Sequence, residues 1–269
     1  MTLALIAGGG TLPAEILQAC RHRRLVVIGF EGQTSPDLHP EIALFPLGSI
    51  GKILDYLRQN GIKEIIFGGA LRRPSWSELH LDKIGTQWMK KLGWRALKGD
   101  NDLLAGILDL LQQEGFTILK PNDILGDLLA PAGCLTTTQP CEQNWADIER
   151  GISILKVLSP YDIGQAIVVQ QGLVLGVEAI EGTANLIQRC GGLKRPEEGG
   201  VLIKIAKIGQ DQRIDLPTIG PDTIDQISKA GLKGIAVSAG STQILDSTVV
   251  IEKANTLGLF VVGVKGDRT

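Results

Sequence analysis

Apolar positions along the first half of the chain alternate between two textures. Leu3–Ala7 is an unbroken apolar run that ends in GGGTLP, and it reads as a β-strand. Behind it, Ile16, Leu17, Ala19 and Cys20 fall at helical spacing. Leu25–Phe30 predicts a second strand, Ile50–Leu57 a helix, and Glu64–Phe67 a third strand running into Gly68-Gly69. Asp102–Leu111 carries the stripe of an amphipathic helix, Phe116–Leu119 predicts another strand, and Ile124–Leu129 a short helix. Strands and helices that alternate in this way predict right-handed βαβ crossovers and a parallel sheet.

The texture then changes. PAGCLTTTQPCEQN, residues 131–144, is polar and rich in turn formers, which marks the best boundary in the chain. Ala146–Leu158 predicts a helix bridging the halves, and Ala166–Gln170 with Leu173–Val177 an antiparallel hairpin about Gln171-Gly172. Val201–Ala206 predicts a strand, Pro221 opens a helix to Ala230, and Gly234–Val237, Gln243–Leu245 and Leu259–Val264 complete a second sheet. The expected fold class is α/β: a parallel-sheet domain over 1–133, a linker and bridging helix over 134–160, and a second, C-terminal α/β domain over 161–269.

Composition narrows the function classes. The 269 residues are 43% hydrophobic and 21% charged, as in a globular protein with a real core. Aromatic residues make up only 4%, and the net charge is −2, so neither a stacking platform nor a field for nucleic acid is present. Apolar stretches fall far short of the ~20 residues of a membrane span. The start, MTLALIAGGG, lacks the basic region of a signal peptide. Cys20, Cys134, Cys141 and Cys190 form no CxxC pair, which predicts free thiols and a cytoplasmic chain. His22, His39 and His80 are not spaced with them as zinc ligands.

The 34 glycines cluster at the ends of apolar runs, and two clusters carry candidate chemistry. Gly8-Gly9-Gly10-Thr11-Leu12-Pro13 links a strand to a helix, where bare N–H groups and the helix dipole offer a seat for phosphate; a purely structural turn is the other reading. Glu31, after the second strand, mimics the acidic ribose contact of a dinucleotide fold, yet G-x-G-x-x-G fails because Pro13 takes the third place. Gly68-Gly69-Ala70-Leu71-Arg72-Arg73 follows the third strand, and its arginines suit an anionic group or a solvated turn. In Gly99-Asp100-Asn101-Asp102, capping of the following helix is the economical reading. Thr183, in EAIEGT, either caps a helix over 184–189 or stands beside N–H groups that take an oxyanion.

The densest set is Lys204, Lys207, Gln210, Asp211, Arg213 and Asp215, followed by LPTIGP with Thr218. Lys204 interrupts an apolar strand, which is costly unless the ammonium is paired or faces an anion. Asp211, Arg213 and Asp215 share one face of an extended chain, as an ion-pair ladder or as oxygen ligands for Mg²⁺ beside phosphate-holding cations.

Taken in order, AGGGTLP, FGGALRRP, GDNDLLAGILDLLQQEGF, LGDLLAPAG, GLVLGVEAIEGT, IKIAKIGQDQRIDLPTIGP, AGSTQILD and LGLFVVGV span nearly the whole chain. They resemble the LpxI family, UDP-2,3-diacylglucosamine pyrophosphatases of lipid A biosynthesis. The resemblance implies a Rossmann-like domain and a C-terminal α/β domain with substrate held between them. It implies Mg²⁺-dependent hydrolysis of the pyrophosphate, with attack on the sugar-side phosphorus, giving UMP and 2,3-diacylglucosamine 1-phosphate (lipid X). It places the essential aspartate at Asp215; the charge of a pyrophosphate then calls for Asp211 as a second carboxylate on the metal and Lys207 as a catalytic cation. Gly9, Gly10, Thr11, Gly69, Ala70, Arg72, Thr183, Lys204, Lys207, Gln210 and Thr218 are the expected substrate contacts. The expected partners are a lipid-linked nucleotide sugar and, transiently, the inner leaflet of the membrane, with a homodimer as a further expectation and no nucleic acid. A nucleotide-dependent oxidoreductase and a non-catalytic nucleotide-sugar or lipid-binding protein are the competing readings. The first is weakened by Pro13 and the second by the ionisable cluster.

Overall fold

The computed structural model describes residues 2–72, 79–93, 100–126, 128–195, 199–207 and 216–265, with Asp100 and Asn101 described by backbone alone. The chain divides into two compact units just before Leu128.

The first unit is built on a parallel sheet in the order β3-β2-β1-β4-β5. Its strands are β1 Leu3–Ala7, β2 Leu25–Phe30, β3 Ala43–Phe45, β4 Glu64–Gly68 and β5 Thr117–Leu119. Its helices are α1 Leu12–Ala19, α2 Ile50–Gln59, α3 Lys83–Leu92, α4 Asp100–Gln113 and α5 Pro121–Leu125. Alternation along the strands sorts the core into two layers. Leu3, Leu5, Ala7, Val27 and Ile66 pack with Ile16 of α1. Ala4, Ile6, Ile28, Phe30 and Ile65 pack with Leu57 of α2, Trp88 of α3 and Leu108 of α4. The chain builds outward from β1 to β3 and then crosses back to β4, so the switch point of this doubly wound sheet lies between β1 and β4.

The second unit carries a mixed sheet in the order β6-β13-β11-β9-β7-β8. Here β6 is Gly133–Cys134, β7 Ala166–Gln170, β8 Leu173–Val177, β9 Val201–Lys204, β11 Gly234–Ser238 and β13 Phe260–Val264. Strands β9, β11 and β13 are parallel, while β7 runs antiparallel to β9 and β8 antiparallel to β7. Helix α6, Glu142–Leu158, covers one face through Ile148, Ile152 and Leu155. Helices α7 Gly182–Gly191, α8 Pro221–Lys229 and α9 Ser247–Thr256 cover the other.

The expected α/β class is observed, and most predicted elements appear within a residue or two. Several details differ. Gln243–Leu245 does not extend the second sheet; Gln243–Ile244 (β12) pairs in parallel with Thr218–Ile219 (β10) as a separate ribbon. The short helix expected over 124–129 is α5, which starts at Pro121 and ends where Gly126 turns to φ 79°. The helix expected from Ala184 begins at Gly182. The division at Leu128 precedes the expected boundary because the chain hydrogen-bonds into the second unit from there on. Ile244 N–H donates to the Leu128 carbonyl, Ala130 N–H to that of Thr242, and β6 pairs with β13.

Candidate active site

In the first unit, the glycine loops after β1 and β4 meet at the switch point. Gly8 N–H donates to the Gly68 carbonyl at 2.8 Å, Gly9 N–H to that of Ala70 at 2.8 Å, and Ala70 N–H back to Gly9 at 3.0 Å. Two of the N–H groups that would cradle a phosphate are therefore used to join the loops. The glycines are required by that approach: a Cβ on Gly8 would stand 2.5 Å from the Ala70 carbonyl oxygen, and one on Gly69 2.4 Å from that of Gly9. The same contact accounts for Pro13, which displaces the third glycine of a dinucleotide fingerprint. Close packing of α1 against the sheet comes instead from β4, where a Cβ on Gly68 would meet Ile16 at 2.7 Å and one on Gly69 would meet Pro13 at 2.9 Å. Gly10, at φ 92° with open space around its Cα, and Thr11 stay exposed at the head of α1. Gln33, from the loop after β2, accepts the Arg72 N–H at 2.6 Å, so three strand-end loops converge.

In the second unit, strand directions bring one polar set to a single sheet edge. Ala166 lies opposite Lys204 and Ile167 opposite Val177, so the start of β7 stands beside the ends of β8 and β9. Lys204, only 8% exposed, points to the side of the three helices, and its Nζ donates to the Thr218 carbonyl at 2.8 Å. Thus Lys204 and Thr218, 14 residues apart in sequence, share one place. Lys207, just beyond β9, forms an ion pair with Asp162 at 2.5 Å. Ala206 N–H donates to the Ser238 hydroxyl, which in turn shares a 2.8 Å hydrogen bond with the Thr242 hydroxyl.

Thr183 has a different local job from capping. Glu181 occupies the N-cap position of α7, and the Thr183 hydroxyl donates to the buried Glu178 carboxylate at 2.6 Å. The other Glu178 oxygen accepts the Gln165 N–H at 2.8 Å, tying the end of β8 to the start of β7. The Glu181 carboxyl is held below the usual carboxylate range, first by its own backbone N–H and then by the Arg189 guanidinium.

Asp162, Gln165, Glu178 and Ser238 therefore join Lys204, Lys207, Thr183 and Thr218 at this edge. The sequence hints at them only faintly, as an acid in the turn before a strand and a Ser-Ala-Gly-Ser-Thr loop after one. Gln210, Asp211, Arg213 and Asp215 lie outside the described residues, as does Arg73, and the side chains of Asp100 and Asn101 are likewise outside them. Among the described residues, no group of three or more His, Cys, Asp or Glu side chains is placed to hold a metal ion. Cys20 and Cys190 are buried free thiols, and burial raises both above the ordinary thiol range.

The two units coincide with two family domains. The LpxI N-terminal domain matches residues 2–128, and the LpxI C-terminal domain matches residues 131–262. A relative from Caulobacter vibrioides, the UDP-2,3-diacylglucosamine pyrophosphatase LpxI, is 39% identical over 272 aligned positions that cover 97% of each chain. With both domains matched in order and nearly the full length shared, the chain belongs to the LpxI family.

Proposed function

We propose that this protein hydrolyses the pyrophosphate bond of UDP-2,3-diacylglucosamine, releasing UMP and 2,3-diacylglucosamine 1-phosphate. The observation that carries the reading is the 39% identity, over 97% of both chains, to the Caulobacter vibrioides relative of that name. The geometry of the second unit agrees with it. Phosphoanhydride hydrolysis requires cations around the phosphoryl oxygens and a positioned water, and the end of β9 supplies two ammonium groups held at defined places by Thr218 and Asp162. Lys204 and Lys207 are assigned to the phosphoryl oxygens. In the first unit, exposed Gly10 and Thr11 at the head of α1 are assigned to an anionic part of the substrate.

Asp215, with Asp211 beside it in sequence, is assigned the essential carboxylate role, on the resemblance of RIDLPTIGP to the family pattern. Bound to these two, Mg²⁺ would supply charge neutralisation at the diphosphate. The diacyl substrate calls for contact with a lipid surface. Among the described residues no helix is long and apolar enough to cross a membrane, so the proposed contact with the inner leaflet is peripheral. Tyr161, Ile163 and Ile180 lie exposed beside the polar edge and suit such a contact.

Incubation of the protein with UDP-2,3-diacylglucosamine and Mg²⁺, with UMP as readout, tests the reading. UMP is expected from the wild type, strongly reduced by a chelator and by Asp215→Ala. No UMP from the wild type would overturn the function, and full activity in Asp215→Ala would overturn the assignment of that residue.

A further inference from the structure

Asp162 has no place in the motifs that point to the site, yet its position is unusual. It closes a short 3₁₀ turn, Ser159–Tyr161, and lies in the left-handed region at φ 57°, ψ 29°. Glycine adopts that conformation without strain, and asparagine tolerates it about as well as aspartate. The backbone therefore gives no reason for a charge here. The charge has a partner elsewhere: Asp162 Oδ1 accepts from Lys207 Nζ at 2.5 Å across 45 residues of sequence. Both side chains are largely withdrawn from water, at 19% and 15% exposed, where screening of the pair is weak.

We propose that Asp162 is a positioning residue that holds the Lys207 ammonium in place for the phosphoryl oxygens; this rests on the reading of Lys207 given above. Lys207 follows the end of β9 by three residues and carries a flexible four-carbon stem, so the strand alone does not place its ammonium. The carboxylate takes one of the three ammonium donors and orients the group. The turn that carries Asp162 is itself anchored. Its N–H donates to the Ser159 carbonyl, and three residues on, Gln165 N–H is bound by Glu178 while the Gln165 carbonyl accepts the N–H of Ile205. A left-handed aspartate on an anchored turn is a rigid post for the long lysine side chain.

The test uses the full chain and follows kcat and KM for UMP release from UDP-2,3-diacylglucosamine, alongside thermal midpoints. Asp162→Asn and Asp162→Gly keep the turn and remove the charge. Each is expected to lower kcat on the order of 10- to 100-fold with little change in KM or in midpoint, because misplacing a reacting group costs that much. Asp162→Glu is expected to recover part of the loss. Lys207→Met is expected to be at least as slow, and the double variant Asp162→Asn with Lys207→Met no slower than Lys207→Met alone, since the two act as one unit. Wild-type kcat in both Asp162→Asn and Asp162→Gly, with Lys207→Met slow, overturns the positioning role. So do multiplicative losses in the double variant, or an activity loss that follows a fall in midpoint. Wild-type kcat in Lys207→Met instead overturns the role of the lysine and the proposal with it. Absence of UMP from the wild-type control overturns the function itself, a result separate from any difference among variants.

Discussion

Single residues explain why the first glycine loop looks like a nucleotide motif and departs from one. Gly8 and Gly69 are glycines because another backbone lies where their side chains would be, whereas Gly10 is a glycine because of its φ of 92°. The two causes predict different penalties. Gly10→Ala meets no neighbour and should cost about 1 kcal/mol, the ordinary penalty for a left-handed alanine. Gly69→Ala combines φ 89° with a 2.4 Å approach to the Gly9 carbonyl oxygen. It should cost about 2–4 kcal/mol, as strained and overpacked sites do. Urea unfolding of the two variants side by side measures the difference, and equal penalties would contradict the loop-to-loop packing. Lys204 shows the same logic with charge: a buried ammonium is tolerated because a carbonyl of β10 comes to meet it.

At the scale of elements, the hairpin of β7 and β8 is pinned to α6. Its two turn residues, Gln171 and Gly172, have φ of 49° and 76°, the signature of the turn that suits the twist of paired strands. Both turn N–H groups donate to the buried carboxylate of Asp147 on α6, at 2.9 and 2.7 Å. Asp147→Ala would strand both donors and should destabilise by about 2–4 kcal/mol, with Asp147→Asn, which keeps one acceptor, intermediate. Chemical denaturation checks the order, and an Asp147→Ala variant as stable as wild type would sink it. Gly151, on the same helix, allows α6 to lie against the sheet, since a Cβ there would come within 2.8 Å of Ile203. The helix and the hairpin were each legible in sequence from periodicity and from Gln171-Gly172. Their connection was not, because a carboxylate that satisfies a turn 24 residues away leaves no local pattern.

For the whole molecule, each unit has its own two-layered core, and the chain joins the second unit as soon as Leu128 is reached. The segment 128–269 expressed by itself should therefore fold cooperatively. A calorimetric transition with native-like far-UV dichroism is the expected result, and an unfolded or molten product would count against two separate cores.

The order of strands and helices, the α/β class, the hairpin and the family were determined by sequence alone. Each rests on local periodicity, turn chemistry or ordered motifs, which neighbouring residues carry by themselves. Short or polar elements escaped: β3 has three residues, β10 has two, and α3 mixes polar residues into its stripe, while β12 was legible as a strand but not its pairing outside the main sheet. Only the tertiary structure decided which of the scattered polar residues meet. Strand direction carries the end of β8, the start of β7 and the end of β9 to one edge, and so sets Asp162 on Lys207 and Glu178 on Thr183. Contacts of that kind depend on which strands are neighbours, and sheet order follows from packing over the entire unit, with no short stretch of residues to announce it.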